Sequence, residues 1–325
     1  MTESGWPTAP VIVRAPASSA NLGPGFDALG LALSLYDVAV VRATGGGLDI
    51  EVSGEGRDTA GAGENHLVVR AMRAAFELLG RQPAGLALRS LNAIPHSRGL
   101  SSSAAAIITG ILAARALVQD GPGRLPDRAV LDLATALEGH PDNVAACLHG
   151  SLTIAWTADE TTAADGAAPG ATRMIRLPVL AEIRPVLCVP AAGVATATAR
   201  GALPATVPHR DAAANAARSA LLIAALTRDP SVLYDATQDY LHQRYRAEVL
   251  PHTADLLGRL RAARVAATVS GAGPAVLALT VAGQKPGPDL VDSIAAETGI
   301  GWRISPLDID RQGATLQTAV PAERS

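Results

Sequence analysis

One segment constrains the fold of this chain more than any other. It is a proline-led turn, PHSRGLSSS at residues 95–103, which leads from the strand-like GLALRSLNAIP into SSAAAIITGILAARALVQD, the pattern of a long, buried helix. Free backbone N–H groups and the positive end of the helix dipole then meet beside Gly99 and the serines at 101–103. The sequence therefore predicts an anion site, and phosphate is an anion that suits it.

Two other local structures produce sequence patterns similar to that of residues 95–103. A serine-capped surface helix is common, because Ser is a favoured N-cap and Ala a strong helix former. A Walker phosphate loop ends in Gly-Lys-Ser/Thr, and it is excluded because the single lysine of the chain, Lys285, lies in GQKPGP. If phosphate binds at this turn, backbone amides, hydroxyls and arginines must hold it.

Composition limits the partners and the compartment. The chain has 325 residues, of which 48% are hydrophobic and 18% charged, with a net charge of −3, so nothing draws it to nucleic acid or to an anionic membrane. Aromatic residues make up 3%, too few for base-stacking platforms. Cys147 and Cys188 are too few for a disulfide framework, and neither a signal-peptide pattern nor an apolar run of about 18 residues is present. We therefore expect a cytoplasmic protein that binds a small molecule, with no nucleic-acid or membrane partner.

The order of predicted elements favours an α+β fold in two domains, since the length allows two cores and strands do not alternate strictly with helices. The small, polar stretch at 157–173 is the predicted linker, between an N-terminal domain at 1–160 and a C-terminal domain at 173–325. In the first domain we expect strands at 11–15, 31–43 and 85–95, a hairpin edge at 45–56, and helices at 65–80 and 102–120. In the second we expect strands at 174–180 and 184–190, helices at 211–229 and 245–263, and two strands around a glycine turn at 264–280.

The glycine turn, GAGP at 271–274, has two interpretations. It is either a hairpin tip or a second backbone segment that approaches a phosphate or supports the first turn. Ser270, Gly271 and Gly273 are its candidate residues. The presence of the Ser-rich turn at 95–103 favours the functional interpretation.

A polar cluster in ALEGHPDNVAA, residues 136–146, is the third motif. Asp142 and Asn143 are suited to cap a helix, but the flanking apolar residues favour side chains turned into a cleft. Glu138, set opposite Ser103, is the hard oxygen ligand that Mg²⁺ prefers.

Candidate substrate residues lie far apart in the chain. SSANLGPGFDALG offers Asn21 and Asp27 around a glycine-proline turn, either as an ordinary Asx turn or as a pocket in which Asp27 meets a cation. Arg200, Arg244 and Arg246 are individually typical of solvated surface arginines, whereas two arginines in one pocket can hold a carboxylate in bidentate fashion. The chain has neither a His-Glu-x-x-His helix nor a Gly-x-Ser-x-Gly elbow, which removes support for metalloprotease and serine-hydrolase functions.

Four blocks, PASSANLGPGFDALGLAL, IPHSRGLSSSAAAI, EGHPDNVAA and VSGAGPAVLAL, resemble in order and spacing those of the GHMP small-molecule kinases. SANLGPGFD, EGHPDN and residues 196–200 resemble the homoserine kinase family in particular. The resemblance covers nearly the whole chain. It implies an N-terminal domain like the second domain of ribosomal protein S5, with a left-handed β-α-β crossover, and a ferredoxin-like C-terminal domain. It also implies ATP- and Mg²⁺-dependent phosphorylation of the L-homoserine hydroxyl, a step of threonine biosynthesis, by a homodimer.

The same resemblance implies roles for individual residues. Those implied to bind ATP are Asn65, beside adenine, and Pro95, Arg98, Gly99, Leu100, Ser101, Ser102, Ser103 and Ala104. Ser103 and Glu138 are implied to bind Mg²⁺. The residues implied to surround homoserine are Asn21, Asp27, His140, Asn143, Thr196, Arg200 and Arg246, of which Asp27, Asn143 and Arg200 are the catalytic candidates. Asp27 is expected to bind the amino group, and Arg200 with Arg246 the carboxylate. Arg246 is preferred to Arg244 because Tyr-Arg followed by Leu-Pro matches the family segment.

Two departures from the family pattern stand out. Ser101 occupies a position where homoserine kinases usually have glycine, and the isolation of Lys285 excludes an Asp-Lys catalytic pair. Whether Asp27 or Asp142 acts as a base stays open at this point. Another GHMP kinase, acting on a sugar or a mevalonate-type alcohol, and a non-catalytic sensor on the same fold are the alternative functions.

Overall fold

Two sheets and their covering helices form the part of the chain that the computed structural model describes, residues 5–58, 63–158, 170–193 and 195–318. The strands are β1 (Val11–Ala20), β2 (Leu29–Thr44), β3 (Gly47–Gly54), β4 (Gly85–Asn92), β5 (Leu152–Thr157), β6 (Thr172–Leu177), β7 (Ile183–Pro190), β8 (Ala266–Val269), β9 (Val276–Val281), β10 (Trp302–Pro306) and β11 (Thr315–Thr318). The helices are α1 (Leu67–Leu79), α2 (Ser102–Leu117), α3 (Gly121–Arg124), α4 (Asp127–Glu138), α5 (Pro141–His149), α6 (Thr196–Gly201), α7 (His209–Thr227), α8 (Leu233–Ala236), α9 (Pro251–Ala262) and α10 (Pro288–Glu297).

The first sheet has the strand order β11-β1-β2-β4-β3, with β5 paired to β2 and β6 paired to β5. β1 pairs antiparallel along its whole length with β2, between Gly30 and Val41, with a register shift at Pro16/Ala17. Strand β3 lies at the sheet edge, where Asp49 and Glu51 form ion pairs with Arg89 of β4. Charged side chains of this kind discourage pairing of an edge with another chain.

The predicted hairpin at 45–56 is wrong in its pairing. Strand β3 pairs in parallel with β4, and Gly47 lies opposite Gly85. A parallel pair needs a crossover, and α1 supplies it between the two strands. The handedness of this crossover stays a prediction.

Helices α1 and α2 pack against each other and bury the apolar surface of the first sheet. Gly110, in α2, makes their close approach possible, because a Cβ there would overlap the carbonyl oxygen of Val68 and lie 2.7 Å from the Cβ of Ala71. Helix α2 is buried along most of its length, as predicted, although it ends at Leu117. The long, apolar helix therefore holds the turn before it on a rigid support.

The second sheet is antiparallel throughout and has the order β10-β7-β9-β8. Side chains alternate along β7: Leu187 and Val189 belong to the same buried apolar cluster as Val13 and Leu31 of the first sheet. Val186 and Cys188, on the opposite face of β7, join a second cluster with α9 and α10. One apolar cluster thus runs from the first sheet into the second.

Helix α9 begins later than predicted. Residues 245–250 form turns, and the helix starts at Pro251, which has no N–H to donate and fits the first turn of a helix. No helix of the described residues is both long and apolar enough to cross a membrane.

The predicted linker lies largely outside the described residues, since the structure leaves out 159–169. The boundaries 1–160 and 173–325 therefore stay a prediction. Strand β6 begins at Thr172, within the predicted linker, and both β6 and the C-terminal strand β11 belong to the first sheet. The mixed sheets and helices match the predicted α+β class.

Candidate functional site

The phosphate turn, residues 95–103, ends at the start of α2 as predicted. Ser101 precedes the helix with φ of 59°, in the left-handed region. The first hydrogen bond of α2 runs from Ala105 N–H to the Ser101 carbonyl at 3.0 Å, so the N–H groups of Ser102, Ser103 and Ala104 precede the helical ladder. These N–H groups and the helix dipole form the anion-binding arrangement expected from the sequence.

The left-handed conformation of Ser101 explains why glycine is usual at this position. Glycine adopts a positive φ without the steric cost of a Cβ. Here the serine hydroxyl adds contacts that glycine lacks: it bonds the side-chain oxygen of Asn143 and lies 3.1 Å from the Ser18 carbonyl oxygen. The substitution keeps the backbone of the turn and ties it to the start of α5.

The glycine turn between β8 and β9 packs directly against the phosphate turn. The Ser270 hydroxyl donates to the Gly99 carbonyl at 2.7 Å, and Gly271 N–H donates to the Ala20 carbonyl at 3.0 Å. A Cβ on Gly99 would overlap the Ser270 carbonyl oxygen and lie 3.0 Å from Gly273 N. The second turn thus supports the first through close backbone contact.

A cavity of about 80 Å³ opens beside the phosphate turn, and elements of both sheets contribute to its wall. We call it the acceptor cavity. The predicted site residues that line it are Asn21, Gly99, Leu100, Ser101, Ser102, Ser103, Glu138, His140, Asn143, Thr196, Arg200, Arg246 and Gly271. The fold therefore brings together residues that are up to 250 positions apart in the chain, Asn21 and Gly271.

A second cavity of about 240 Å³ continues from the first along α2, and the two share Ser97, Ser102 and Ser103. We call it the helix cavity. His66 lines it, is buried, and has an Nδ1 atom without a hydrogen-bond partner among the described residues. Asp37 also lines it, and burial raises the pKa of this carboxyl to about 6. The helix cavity thus offers buried polar atoms beside apolar wall residues.

Several predicted site residues line neither cavity. Asn65 is exposed in the turn before α1, and its neighbour His66 lines the helix cavity instead. Arg98 donates to the carbonyls of Pro190, His96 and Ala191, and it lines a separate surface cavity with Pro95. Asp27 and Ala104 also line neither cavity, nor do Ser270 and Gly273, which contact Gly99 of the phosphate turn.

Asp27 and Arg200 form an ion pair at the edge of the acceptor cavity. Arg200 Nη2 lies 2.6 Å from Asp27 Oδ1, and Nη1 lies 3.4 Å from Oδ2. Their side chains are 40% and 34% exposed, respectively, so solvent reaches both. Asn21 holds the Asp27 loop: its side-chain oxygen accepts from Asp27 N–H at 2.9 Å, and its side-chain nitrogen donates to the Gly271 carbonyl at 2.8 Å.

Arg246 is the largest fully buried side chain, at 1% exposure. Its Nε donates to the Ala199 carbonyl at 3.1 Å, and its Nη1 lies 2.9 Å from His242 Nδ1. Since a guanidinium donates only, His242 Nδ1 accepts and its Nε2–H donates to the Gly23 carbonyl at 2.8 Å. Burial lowers the pKa of Arg246 and of His242, which agrees with a neutral imidazole. No carboxylate among the described residues forms a salt bridge with Arg246.

Phe26 and His242 are site residues that sequence reasoning missed. Their rings stack with centroids 5.0 Å apart, and the guanidinium carbons of Arg200 and Arg246 lie 5.8 and 5.7 Å from the Phe26 centroid. The available signal was the spacing of His242 and Arg246, four positions apart. Outside a helix, however, a spacing of four does not by itself place the two side chains on the same side of the chain.

Ser103 and Glu138 meet as predicted, with the Ser103 hydroxyl donating to Glu138 Oε1 at 2.8 Å. Burial raises the pKa of Glu138, and the Ser103 hydrogen bond opposes that shift. No group of three or more His, Cys, Asp or Glu side chains suited to a metal occurs in the described ranges. Ser103 and Glu138 therefore supply one hydroxyl and one carboxylate at the start of α2.

Asp142 lies in the wall of the acceptor cavity and is buried. Burial, and then the charge of Asp27, raise the pKa of its carboxyl to about 7. Asn143 Nδ2 donates to Asp142 Oδ1 at 3.4 Å, while Asn143 Oδ1 accepts from Ser101. A polar chain therefore leads from the phosphate turn to a carboxyl that changes protonation near neutral pH.

The fold and the site define the chain as a GHMP-type kinase. The family described as "GHMP kinases N terminal domain" matches residues 66–151, which include the phosphate turn, α2 and the Glu138–Asn143 cluster. The chain is 53% identical over 308 residues to homoserine kinase of Streptomyces coelicolor, covering 95% of this chain and 94% of that one. It is 46% identical over 301 residues to homoserine kinase of Rhodococcus erythropolis, covering 92% and 93%. The chain belongs to the homoserine kinase family.

A solved structure agrees on the fold. The crystal structure of homoserine kinase from Cytophaga hutchinsonii aligns with a TM-score of 0.79 at 24% identity, covering 95% of this chain and 98% of that one. The predicted α+β class, the GHMP resemblance and the kinase class are thus confirmed, and ATP follows as the phosphate donor of that class. The roles of individual residues stay predictions, as do Mg²⁺, the homodimer and the cytoplasmic location.

Proposed function

We propose that this chain transfers the γ-phosphoryl group of ATP to the hydroxyl of L-homoserine. The observation that carries the proposal is the juxtaposition of the phosphate turn with Arg200 and Arg246 in one cavity, where Asp27 pairs with Arg200 at the edge. A carboxylate and two guanidinium groups complement the ammonium and carboxylate of a free amino acid. A sugar or mevalonate has no ammonium group for Asp27.

The ion pair of Asp27 and Arg200 indicates how the amino acid is held. Each member of the pair finds its counterpart on a zwitterion: the ammonium takes Asp27, and the carboxylate takes Arg200. The buried Arg246 lies on the same wall without a carboxylate of its own among the described residues. Burying a guanidinium is costly unless a negative charge compensates it, which the substrate carboxylate would do.

The nucleotide fits the second half of the site. The start of α2 receives the phosphates, and the helix cavity, which shares three serines with the acceptor cavity, receives the nucleoside. In the proposed complex the γ-phosphate lies next to the acceptor, beside the wall that the two cavities share at Ser97, Ser102 and Ser103. Asn65 then contacts adenine from the rim, because it is exposed and outside the cavity wall.

The donor set of Ser103 and Glu138 suits Mg²⁺. This ion usually binds one or two protein oxygens and completes its shell with phosphate oxygens and water, so a cage of several carboxylates is not required. The half-buried Glu138 carboxylate and the Ser103 hydroxyl, 2.8 Å apart at the helix start, are two hard oxygen donors of that kind. Bound there, Mg²⁺ would neutralise charge on the phosphates.

Asp142, rather than Asp27, accepts the proton of the attacking hydroxyl in this proposal. Asp27 is already paired with Arg200, whereas no cation forms a salt bridge with Asp142 among the described residues, and its pKa is about 7. A base that titrates near the working pH is the most effective one. Lys285 takes no part, because it is exposed in the turn before α10 and lines neither cavity. Positioning and charge neutralisation supply most of the remaining rate enhancement.

A coupled ADP-release assay tests the function directly. Purified protein is given ATP, Mg²⁺ and, in parallel, L-homoserine, L-threonine, mevalonate and galactose. We expect turnover to be fastest with homoserine, and phosphorus NMR should identify the product as a phosphate monoester of its hydroxyl. Faster turnover with another alcohol would contradict the substrate assignment, and no turnover with any of them would favour the sensor alternative.

A further inference from the structure

Arg98 lies inside the phosphate turn, yet its guanidinium faces away from both cavities. Nε donates to the Pro190 carbonyl at 3.1 Å, Nη1 donates to the His96 carbonyl at 2.7 Å, and Nη2 donates to the Ala191 carbonyl. One acceptor therefore belongs to the phosphate turn itself, and two belong to the end of β7. These contacts use all three nitrogen atoms of the side chain.

The two distant acceptors lie just before the helix that carries acceptor-side residues. Strand β7 ends at Pro190, and α6 begins at Thr196. Thr196 and Arg200 of α6 both line the acceptor cavity. Arg98 thus connects the turn that receives phosphates with the segment that leads into the substrate-binding helix.

Backbone packing at residues 190–193 adds a second, independent observation. A Cβ on Gly193 would overlap Arg98 Nη1 and lie 3.0 Å from the Ser97 carbonyl oxygen. The chain after β7 therefore lies in close contact with the phosphate turn, and a side chain at position 193 would displace the Arg98 guanidinium. Arg98 also ties the turn to the glycine loop, since Ala275 N–H donates to the Arg98 carbonyl at 3.3 Å.

We propose that Arg98 is a positioning residue that fixes residues 190–193 on the phosphate turn and thereby places α6, with Thr196 and Arg200, over the acceptor. Resting on the proposed function, this inference assigns Arg98 to homoserine binding through α6. It contrasts with the role implied by the family resemblance, in which Arg98 binds ATP. If Arg98 positions α6, its replacement should raise the KM for homoserine. If it binds ATP, its replacement should raise the KM for ATP.

The test compares Arg98→Ala, Arg98→Lys and the wild type in steady-state kinetics. Loss of charge-assisted hydrogen bonds to the 190–191 carbonyls should raise the KM for homoserine by about tenfold or more in Arg98→Ala. The KM for ATP should stay within about threefold, because Arg98 lines neither the acceptor cavity nor the helix cavity. Arg98→Lys keeps the charge and part of the reach and should recover part of the effect. Millimolar ethylguanidine should restore Arg98→Ala toward the wild type.

Arg303→Ala is the matched control. Arg303 lines the same surface cavity as Arg98, but its guanidinium pairs with Glu55 at 3.1 Å rather than with the β7 carbonyls. Both KM values should be unchanged in this variant. An effect equal to that of Arg98→Ala would overturn the proposal, because it would show a general response to charge loss on this surface.

Hydrogen–deuterium exchange of peptides that cover residues 196–203, without substrates, supplies a readout that does not need activity. We expect exchange to be about tenfold faster in Arg98→Ala than in the wild type or Arg303→Ala. Unchanged exchange, or a rise in the KM for ATP alone, would overturn the proposal. If Arg98→Ala does not fold, Arg98→Lys carries the same comparison. Absence of homoserine turnover in the wild type would instead refute the proposed function, while exchange would still decide the role of Arg98.

Discussion

Replacement of Arg246 by leucine separates substrate binding from nucleotide binding. Arg246 is 1% exposed, and its guanidinium is held by the Ala199 and Gly271 carbonyls and by His242. In the proposed complex the same group meets the homoserine carboxylate. Leucine keeps an apolar side chain in the space and removes every donor.

The magnitude follows from the burial of the pair. Removal of one partner of a buried ion pair costs about 3–5 kcal/mol. We take a lower value, about 2–3 kcal/mol, because Arg200 stays in the pocket and is 34% exposed to solvent. This loss corresponds to a rise of roughly 30- to 150-fold in the KM for homoserine. The KM for ATP should change little, since Arg246 does not line the helix cavity.

Arg244→Leu provides the control two positions away. Arg244 is 46% exposed, pairs with the buried Asp211 at 2.5 Å, and lines neither the acceptor cavity nor the helix cavity. Both substrates are titrated in the coupled ADP-release assay, and melting temperatures confirm that each variant is folded. Equal increases in the two KM values of Arg246→Leu, or a similar homoserine effect in Arg244→Leu, would refute the assignment of the carboxylate site.

Three further substitutions test other parts of the site. Asp142→Asn should lower kcat by about 10²-fold. The free energy of unfolding of the wild type should fall by at most roughly 4 kcal/mol between about pH 4 and 7, because folded Asp142 keeps a proton that the unfolded chain, with an ordinary pKa of 3.8, releases. Asp142→Asn should remove this fall. Urea unfolding at several pH values checks this, and equal pH slopes in both proteins would contradict it. Glu138→Gln should raise the Mg²⁺ concentration that gives half-maximal activity, whereas an unchanged Mg²⁺ titration would remove Glu138 from the metal site. Gly99→Ala would place a methyl group against the Ser270 carbonyl at a position with a φ of 73°, and it should destabilise the protein by about 2 kcal/mol or more. Thermal unfolding measures this change, and an unchanged melting temperature would show that the two turns can move apart at little cost.

Local signals predicted the phosphate end of the site. The turn at 95–103, the helix after it and the glycine turn at 271–274 are each encoded within a short stretch, by glycines, serines and an apolar run. The Ser103–Glu138 contact is also as expected, although the residues are 35 positions apart. Its prediction depended on the resemblance to a known family and on the chemistry of the two donors.

Long-range relations account for the errors. Strand β3 looked like half of a hairpin, because its own sequence does not show that its partner is β4, which follows α1 in the chain. The contacts of Arg98 could not be predicted from its position in the turn, because the carbonyls that it bonds at 190 and 191 lie more than 90 positions away. Phe26 and His242, whose rings stack, lie even farther apart in sequence. Composition and periodicity describe single elements, and these contacts arise only where elements meet.

The return of β6 and β11 to the first sheet affects how the chain can be divided. A cut between residues 158 and 170 would leave β6 and β11 on one fragment and their partners β5 and β1 on the other. The shared apolar cluster would also be split, since Val13 and Leu277 belong to it from opposite sides of the cut. Each fragment alone would expose unpaired strand edges and core side chains, which favours their reassembly or aggregation. Co-expressed fragments should therefore complement each other, so this kinase offers a natural position for a split reporter.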